Sequence, residues 1–366
     1  MFSRKKMTEK ERLKWIEFSL AKGITQPDLY LLYKFKRDPF EIEEMDIEEL
    51  KNVMGNRAGN LRNPRTKVSE EVRRMEKAGA RAVFLVDEEY PALLKEIPNP
   101  PLFLRVRGKI PASAERMIAV VGTRRASSYG RRICEYFSEE IAGRNFTVVS
   151  GLALGIDTVA HSVAVKGASG TVAVLGCGAD VIYPGENKLL AEKIISNGAV
   201  VSEYPMGTIP SKQNFPVRNR IISGMSCGVL VVEAPQKSGA LITSSFAGEQ
   251  GRDVWVACGD IFDKNFKGSH ALIKDGAKLC ESIEDIMCEL NLPGIEPMPK
   301  APATASLPED SGEKKIYSCI GWKPVTLDEI KEKSGFEIAK IFKTLTNLQI
   351  NGFIDNSAGG KFVRKK

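Results

Sequence analysis

Six short apolar runs, at residues 118–121, 146–149, 171–175, 199–201, 229–232 and 254–257, constrain this chain more than any other feature. They are rich in valine and bounded by glycine, and their apolarity is continuous rather than alternating. A strand wetted on one face alternates apolar and polar residues, whereas one covered on both faces does not. Such strands, spaced by helix-length segments, build a parallel sheet wrapped by helices. The middle of the chain is therefore expected to be an α/β, Rossmann-like, doubly wound and mostly parallel domain.

The flanks read differently. The first 80 residues look helical, with Trp15, Ile16, Leu20, Leu29 and Leu32 as core candidates. Residues 291–312 hold five prolines without periodicity, the mark of a linker. Beyond it, residues 313–366 read as three helices and a hairpin, a small winged helix. Thr326 and Glu329 form a capping box, and Gly335 ends that helix. Ile338, Ile341, Phe342, Leu345 and Leu348 make one apolar face of the next. Lys340, Lys343 and Asn347 lie off that face, and Lys361, Arg364, Lys365 and Lys366 fall on or after the wing. Both a duplex-reading module and a protein-docking one fit this pattern.

Charge is informative only where it is local. The net +7 resides in the flanks, because residues 116–290 carry 18 Lys and Arg against 18 Asp and Glu. A neutral domain binds a polyanion through clustered cations, and residues 212–220 form such a cluster. Lys212, Arg218 and Arg220 surround Phe215, Pro216 and Asn219 with no acid among them. A flat ring stacks on any unpaired base, and the cations neutralise phosphates. Pro216 is expected at the first helical position, with freed amides toward a phosphate. A weaker basic stretch comprises Arg57, Arg62, Arg65 and Lys67.

Three glycine-bearing turns follow strands at the carboxyl edge, where such sheets bind ligands. Gly122, Thr123, Arg124 and Arg125 lead the first; Gly151 lies in the second; Lys237, Ser238 and Gly239 open the third. The dinucleotide pattern G-x-G-x-x-G is absent, and two arginines suit a polyanion lying across the strand ends better than a nicotinamide cofactor. Glu203 and Glu233 end strands and are expected to pair with Arg218 or Arg220. His161, four residues after Asp157, is weighed for acid–base work and read as a core residue, with the aspartate capping its helix. The seven cysteines form no C-x-x-C, only two histidines accompany them, and buried free thiols are expected with no metal and no cofactor. No apolar run reaches the roughly 18 residues of a membrane span, and the basic start lacks a secretory apolar stretch, so a cytoplasmic location is expected.

Seven blocks in order resemble the DNA-processing protein A family, also called Smf. They are VVGTRRASSYG ending at Gly130, residues 148–161, 172–184 and 202–207, the cluster at 212–220, and residues 231–243 and 268–279. Residues 88–108 are similar to the family's lead-in, which extends the central domain to 81–290, and residues 1–80 to its sterile-alpha-motif-like or helix-hairpin-helix module. The resemblance implies a non-enzymatic mediator that coats incoming single strands during natural transformation, shields them from nucleases and hands them to the RecA recombinase, helping to displace single-strand-binding protein. It implies a DNA groove of Arg124, with Arg125 beside it, Lys212, Phe215, Arg218 and Arg220. It also implies a homodimer joined through the Rossmann domain, with Leu272, Ile273 and Leu279 as interface candidates. One departure is Leu154, where many relatives carry arginine. Two other classes compete: a Rossmann-like nucleotide phosphoribohydrolase, whose P-G-G-x-G-T-x-x-E block is missing here, and a duplex-DNA regulator acting through the winged helix.

Overall fold

A computed structural model of the chain describes residues 7–61, 64, 66–111, 116–290, 311–321, 324–357 and 360–364. The chain divides into two compact units, Met1–Leu292 and Pro293–Lys366. Nine strands form the sheet of the first: β1 (Ala80–Phe84), β2 (Phe103–Gly108), β3 (Met117–Val121), β4 (Thr147–Ser150), β5 (Thr171–Leu175), β6 (Gly198–Ser202), β7 (Gly228–Val231), β8 (Asp253–Ala257) and β9 (Lys278–Cys280). Their order is β1-β2-β6-β5-β4-β3-β7-β8-β9. The pairs from β6 across to β9 are parallel, while β1 and β2 add an antiparallel edge. All six expected runs are strands, and β3, β4, β5 and β7 are buried along their whole length, which is why their sequences do not alternate. The chain leaves β6 at one side and re-enters beside β3, so the crevice between the β3 and β7 loops is the topological switch point.

Helices α1 (Glu9–Ser19), α2 (Gln26–Phe35), α3 (Pro39–Glu44), α4 (Ile47–Met54) and α5 (Val68–Lys77) precede the sheet. Trp15, Ile16, Leu20, Leu29 and Leu32 are buried as expected. The core that holds Trp15, Leu29 and Leu32 also takes in Phe84, Leu102 and Phe103, so these helices close over β1 and β2. The boundary expected at residue 80 therefore falls inside one compact unit. A buried ion pair joins the layers. Arg105 of β2, fully buried, donates from Nε to Glu71 of α5 at 2.5 Å, from Nη1 to the Glu203 carbonyl at 3.2 Å and from Nη2 to Ser19 Oγ at 3.1 Å. Glu71 also accepts the Met206 amide at 3.1 Å. In the weaker basic stretch Arg57 is paired with Asp28 at 2.8 Å, while Arg62 and Arg65 lie outside the described residues.

Around the parallel strands run α6 (Ser128–Gly143), α7 (Ile156–Ala164), α8 (Lys188–Ser196), α9 (Asn214–Met225), α10 (Gly239–Glu249), α11 (Lys267–Lys274) and α12 (Ile283–Leu290). His161 of α7 is fully buried, with Nδ1 2.8 Å from Thr171 Oγ1. Asp157 accepts the amides of Gly151 and Ala153 in the loop before its helix, at 3.1 and 3.3 Å, and so ties the loop rather than the helix start. Thiols are not uniformly buried, since Cys258 and Cys288 are exposed. Among the described residues no helix is long and apolar enough to cross a membrane.

The second unit holds α13 (Ser311–Cys319), α14 (Leu327–Ser334), α15 (Ile338–Ile350) and the hairpin β10 (Ile354–Ser357) with β11 (Lys361–Arg364). The Thr326–Glu329 capping box is present, and Gly335 ends α14 with φ +72°. Ile341, Leu345 and Leu348 of α15 are buried, but Ile338 and Phe342 are 43% and 56% exposed, so the expected apolar face is narrower than its sequence pattern. Lys340, Lys343 and Asn347 are exposed; the proposed linker and Lys365 and Lys366 lie largely or wholly outside the described residues.

Two stability predictions follow from these buried groups. Glu71→Met strands a buried guanidinium and should lower unfolding free energy by about 3–5 kcal/mol, while Glu71→Met with Arg105→Met should lose less. Urea denaturation of Glu71→Met, Arg105→Met and the double variant checks this, and a double variant as unstable as the summed singles would refute the pairing. His161, pushed down to about 3 by burial and then by the Arg218 charge, stays neutral in the fold and titrates near 6.5 when unfolded. Its contribution is full above pH 6.5 and drains as pH falls toward 3, because the unfolded chain binds the proton first. Stability measured from pH 7.5 to 5.5 should fall, and His161→Gln should flatten that slope.

Candidate nucleic-acid interface

The site is built where α9 enters the sheet edge. Phe215 is the second residue of α9 and Pro216 the third. Pro216 was expected at the first position; in the third its missing N–H still falls within the turn that lacks intrahelical acceptors, so the helix tolerates it. The Phe215 ring lies against Gly176 at the end of β5, where a Cβ would come within 2.9 Å of it. Tyr183 stacks on Phe215 with centroids 5.8 Å apart and planes 29° apart. The Arg124 guanidinium sits 5.3 Å from the Phe215 centroid, and that of Arg218 sits 6.0 Å away. Phe215 is half-buried, whereas Tyr183 is 47% exposed, so the ring best placed to meet a ligand is the one the sequence did not single out. Its signal was present: an aromatic residue in the loop after the third expected strand, directly before Pro184.

The candidate cations separate into two groups. Arg124, Arg125, Lys212 and Lys237 are exposed. Arg218 and Arg220, expected at phosphates, are buried at 4% and 8% exposure and turn inward. Arg218 donates from Nη1 to the carbonyls of Gly151, at 2.8 Å, and of Val174, and from Nε to Asn219 Oδ1 at 3.1 Å. Arg220 pairs with Glu203, as the sequence suggested, and donates to the Asn99 carbonyl at 2.8 Å. Burial raises the Glu203 carboxyl, and the Arg220 charge counteracts it. The physical reason for the inward turn is the set of strand-end carbonyls and carboxylates beneath α9, which solvent does not reach. Asn219 is buried as well, donating to the Gly239 carbonyl at 3.3 Å. Glu233 bonds neither arginine: it accepts the Ser127 amide and hydroxyl at 3.0 and 2.9 Å, fixing the turn that presents Arg124 and Arg125.

The glycines separate in the same way. A Cβ on Gly151 would come within 2.5 Å of the Arg218 guanidinium, and one on Gly122 within 2.5 Å of Ile156. Both are small so that the protein can pack on itself. Gly239 differs, being exposed, with nothing within 4 Å of where its Cβ would stand. It opens α10 next to Ser238, whose hydroxyl accepts the Ala240 amide, and to exposed Lys237. Thr123 is buried and accepts the Arg125 amide at 3.2 Å. Of the interface candidates, Leu272 and Ile273 pack partly buried against the main core, while Leu279, on the edge strand β9, is 47% exposed. Leu154, in the β4 loop, is 41% exposed.

The arrangement is a stacked pair of rings, Tyr183 exposed and Phe215 half-buried, with exposed cations on the loops after β3, β6 and β7, at the edge of the sheet that bears the switch point. It offers stacking and phosphate neutralisation. His161, walled into the core, reaches none of it.

Comparison with known proteins places these features in a lineage. The family described as DNA recombination-mediator protein A matches residues 81–291, and the DprA winged helix domain matches residues 298–360. Protein Smf of Synechocystis sp. is 32% identical over 407 aligned residues, covering 98% of this chain and all of that protein. The X-ray structure of DNA processing protein A from Streptococcus pneumoniae aligns with a TM-score of 0.66 at 33% identity, covering 79% of this chain and all of that one. A Helicobacter pylori DNA processing protein A, whose structure is described for its single-stranded DNA binding mode, aligns with a TM-score of 0.52 at 26% identity, covering 58% and 95%. With the central domain, the winged helix and nearly the whole length matched, this chain belongs to the DNA recombination-mediator protein A family.

Proposed function

We propose that the chain binds single-stranded DNA across the carboxyl edge of its sheet and passes the strand to a RecA-type recombinase, as a mediator with no chemistry of its own. The observation that carries this reading is the Tyr183–Phe215 pair bordered by exposed Arg124 and Lys212. A base stacks on such a platform without regard to its identity, because every base has a π-face. Arg124, Arg125, Lys212 and Lys237 hold the backbone. The Helicobacter pylori relative, described as a single-stranded DNA binder, supports the same ligand here. The one histidine weighed for catalysis is buried, with its pKa pushed down to about 3, which favours a binding role over an enzymatic one. We place the protein in the cytoplasm, where RecA and single-strand-binding protein are its partners. It acts as a homodimer through the β9 edge, where Leu279 is the exposed candidate.

Two predictions test this reading. In fluorescence anisotropy with labelled oligo-dT, Phe215→Ala should weaken binding by about 1–3 kcal/mol, roughly 5- to 150-fold. Lys212→Ala should make the slope of log affinity against log salt shallower by about 0.7, the share of one phosphate contact on a single strand. Equal affinity for duplex, with no loss in either variant, would sink the assignment. Arg218→Ala should behave differently, because it leaves Asp157 buried without its charge partner. Its unfolding free energy should fall by about 3–5 kcal/mol, and denaturation monitored beside binding separates this structural loss from a contact loss.

A further inference from the structure

On the far side of the loops that carry the aromatic pair lies an open cleft of about 600 Å³, lined among others by Arg74, Lys77, Arg107, Asp180, Lys188 and Glu192. It is assembled from α5 of the helical layer, β2, the loop after β5 and the first five residues of α8, which supply Lys188 and Glu192. Both of its carboxylates are already engaged. Asp180 accepts the Gly207 amide at 2.8 Å, and Glu192 lies 3.4 Å from Arg107 Nη2. Arg107 donates from Nε to the Ala78 carbonyl at 2.8 Å, and Arg74 pairs with Glu70 at 2.5 Å. Lys77 and Lys188 are exposed, and among the described residues neither has an ion-pair or hydrogen-bond partner. The cleft therefore presents two ammonium groups without ion-pair partners, flanked by two paired guanidiniums, so that its four cations outnumber the carboxylates of Asp180 and Glu192.

Its wall is continuous with the platform. The loops after β5 and β6 are laced together by the Gly207-to-Asp180 bond and by the Gly178 amide donating to the Thr208 carbonyl at 2.9 Å. One loop puts Ile182 into the cleft and the next residue, Tyr183, onto Phe215. The other brings Gly207, whose Cβ would stand 2.6 Å from Arg74 Nη1, and continues to Lys212 and Phe215. A chain leaving the platform over these loops meets the cleft next.

We propose that this cleft is a second backbone site, which takes phosphates of the same single strand whose base stacks on Tyr183 and Phe215. The proposal rests on the single-strand reading above. It gives α5 a direct part in holding DNA, beyond covering β1 and β2. No ring lines the cleft, so it contributes charge neutralisation and no stacking, and short strands filling only the platform do not engage it.

The test is anisotropy with oligo-dT from about 4 to about 16 nucleotides, the range of site sizes in single-strand grooves. The full chain is compared with Lys77→Ala/Lys188→Ala and with Phe215→Ala. The double lysine variant should match wild type on the shortest strands that bind. On long strands it should lose the affinity gained with length, and its salt slope should be shallower by about 1.4, two phosphates' share. Both lysines are exposed and unpaired, so its thermal midpoint should not move. Wild-type behaviour of this variant at every length overturns the cleft while leaving the platform to Phe215→Ala. Loss on short and long strands alike also overturns it, since the lysines would then belong to the first site. If wild type binds no oligonucleotide, both readings fall.

Discussion

A guanidinium removed from water needs acceptors for its N–H groups and a countercharge within reach, and Arg218 meets both demands where the strand ends and α9 converge. Its acceptors are the carbonyls of Gly151 after β4 and Val174 in β5, so one side chain spans two parallel strands at the edge where the ligand loops begin. Asp157 supplies the strongest opposite charge acting on it and itself holds the amides of Gly151 and Ala153. The β4 loop is thus fastened from both sides, and Gly151 must lack a side chain because the guanidinium occupies that space. With Arg218 fixed, the first turn of α9 is fixed, and with it the Phe215 ring that Tyr183 covers. The platform is preorganised by charge buried beneath it, and little ordering is left to be done when a base arrives.

The second buried guanidinium extends this logic to the helical layer. Arg105 reaches α1, α5 and the Glu203 carbonyl from one position in β2, and Glu71 in turn receives the Met206 amide. Helix α5 is therefore set against the loop after β6 by hydrogen bonds, and its outer face, with Arg74 and Lys77, borders that loop with a defined spacing. Surface charges on a loosely docked domain would contribute little, since each would have to be ordered on binding. Charges on a helix held by a buried pair come already placed.

The architecture was legible because continuous valine-rich runs can be satisfied only by a sheet covered on both faces, and all six became strands. The winged unit was legible through its capping box and Gly335. Burial of individual polar residues was not. Lys212, Arg218 and Arg220 look alike in the chain, yet the first is exposed and the others are among the more buried cations in the fold, because acceptors contributed by residues 99, 151, 174 and 203 wait beneath α9. No local pattern reveals partners so distant in sequence. The contact of the helices with the sheet was hidden for a similar reason: they complete their core only with Phe84, Leu102 and Phe103, which follow residue 80, although the family match itself begins at residue 81. The lysine cleft was not legible because its cations come from three separate segments, each unremarkable alone.

These inward turns change what the domain can do electrostatically. Residues 116–290 carry no net charge, and with Arg218 and Arg220 committed to the fold, the edge near the platform keeps four exposed candidates, Arg124, Arg125, Lys212 and Lys237. At about 0.7 of salt slope per phosphate on a single strand, four contacts give a slope near 3, well short of duplex binders that neutralise six to ten phosphates. One protomer gripping this way releases readily. For the strand carrier proposed above, such moderate contacts favour giving the strand up, and the proposed self-association would supply retention, because a second contact on the same strand forms at high effective concentration. Under that proposal, strong retention as an assembly and easy release as a single protomer would be the same electrostatics, counted several times or once.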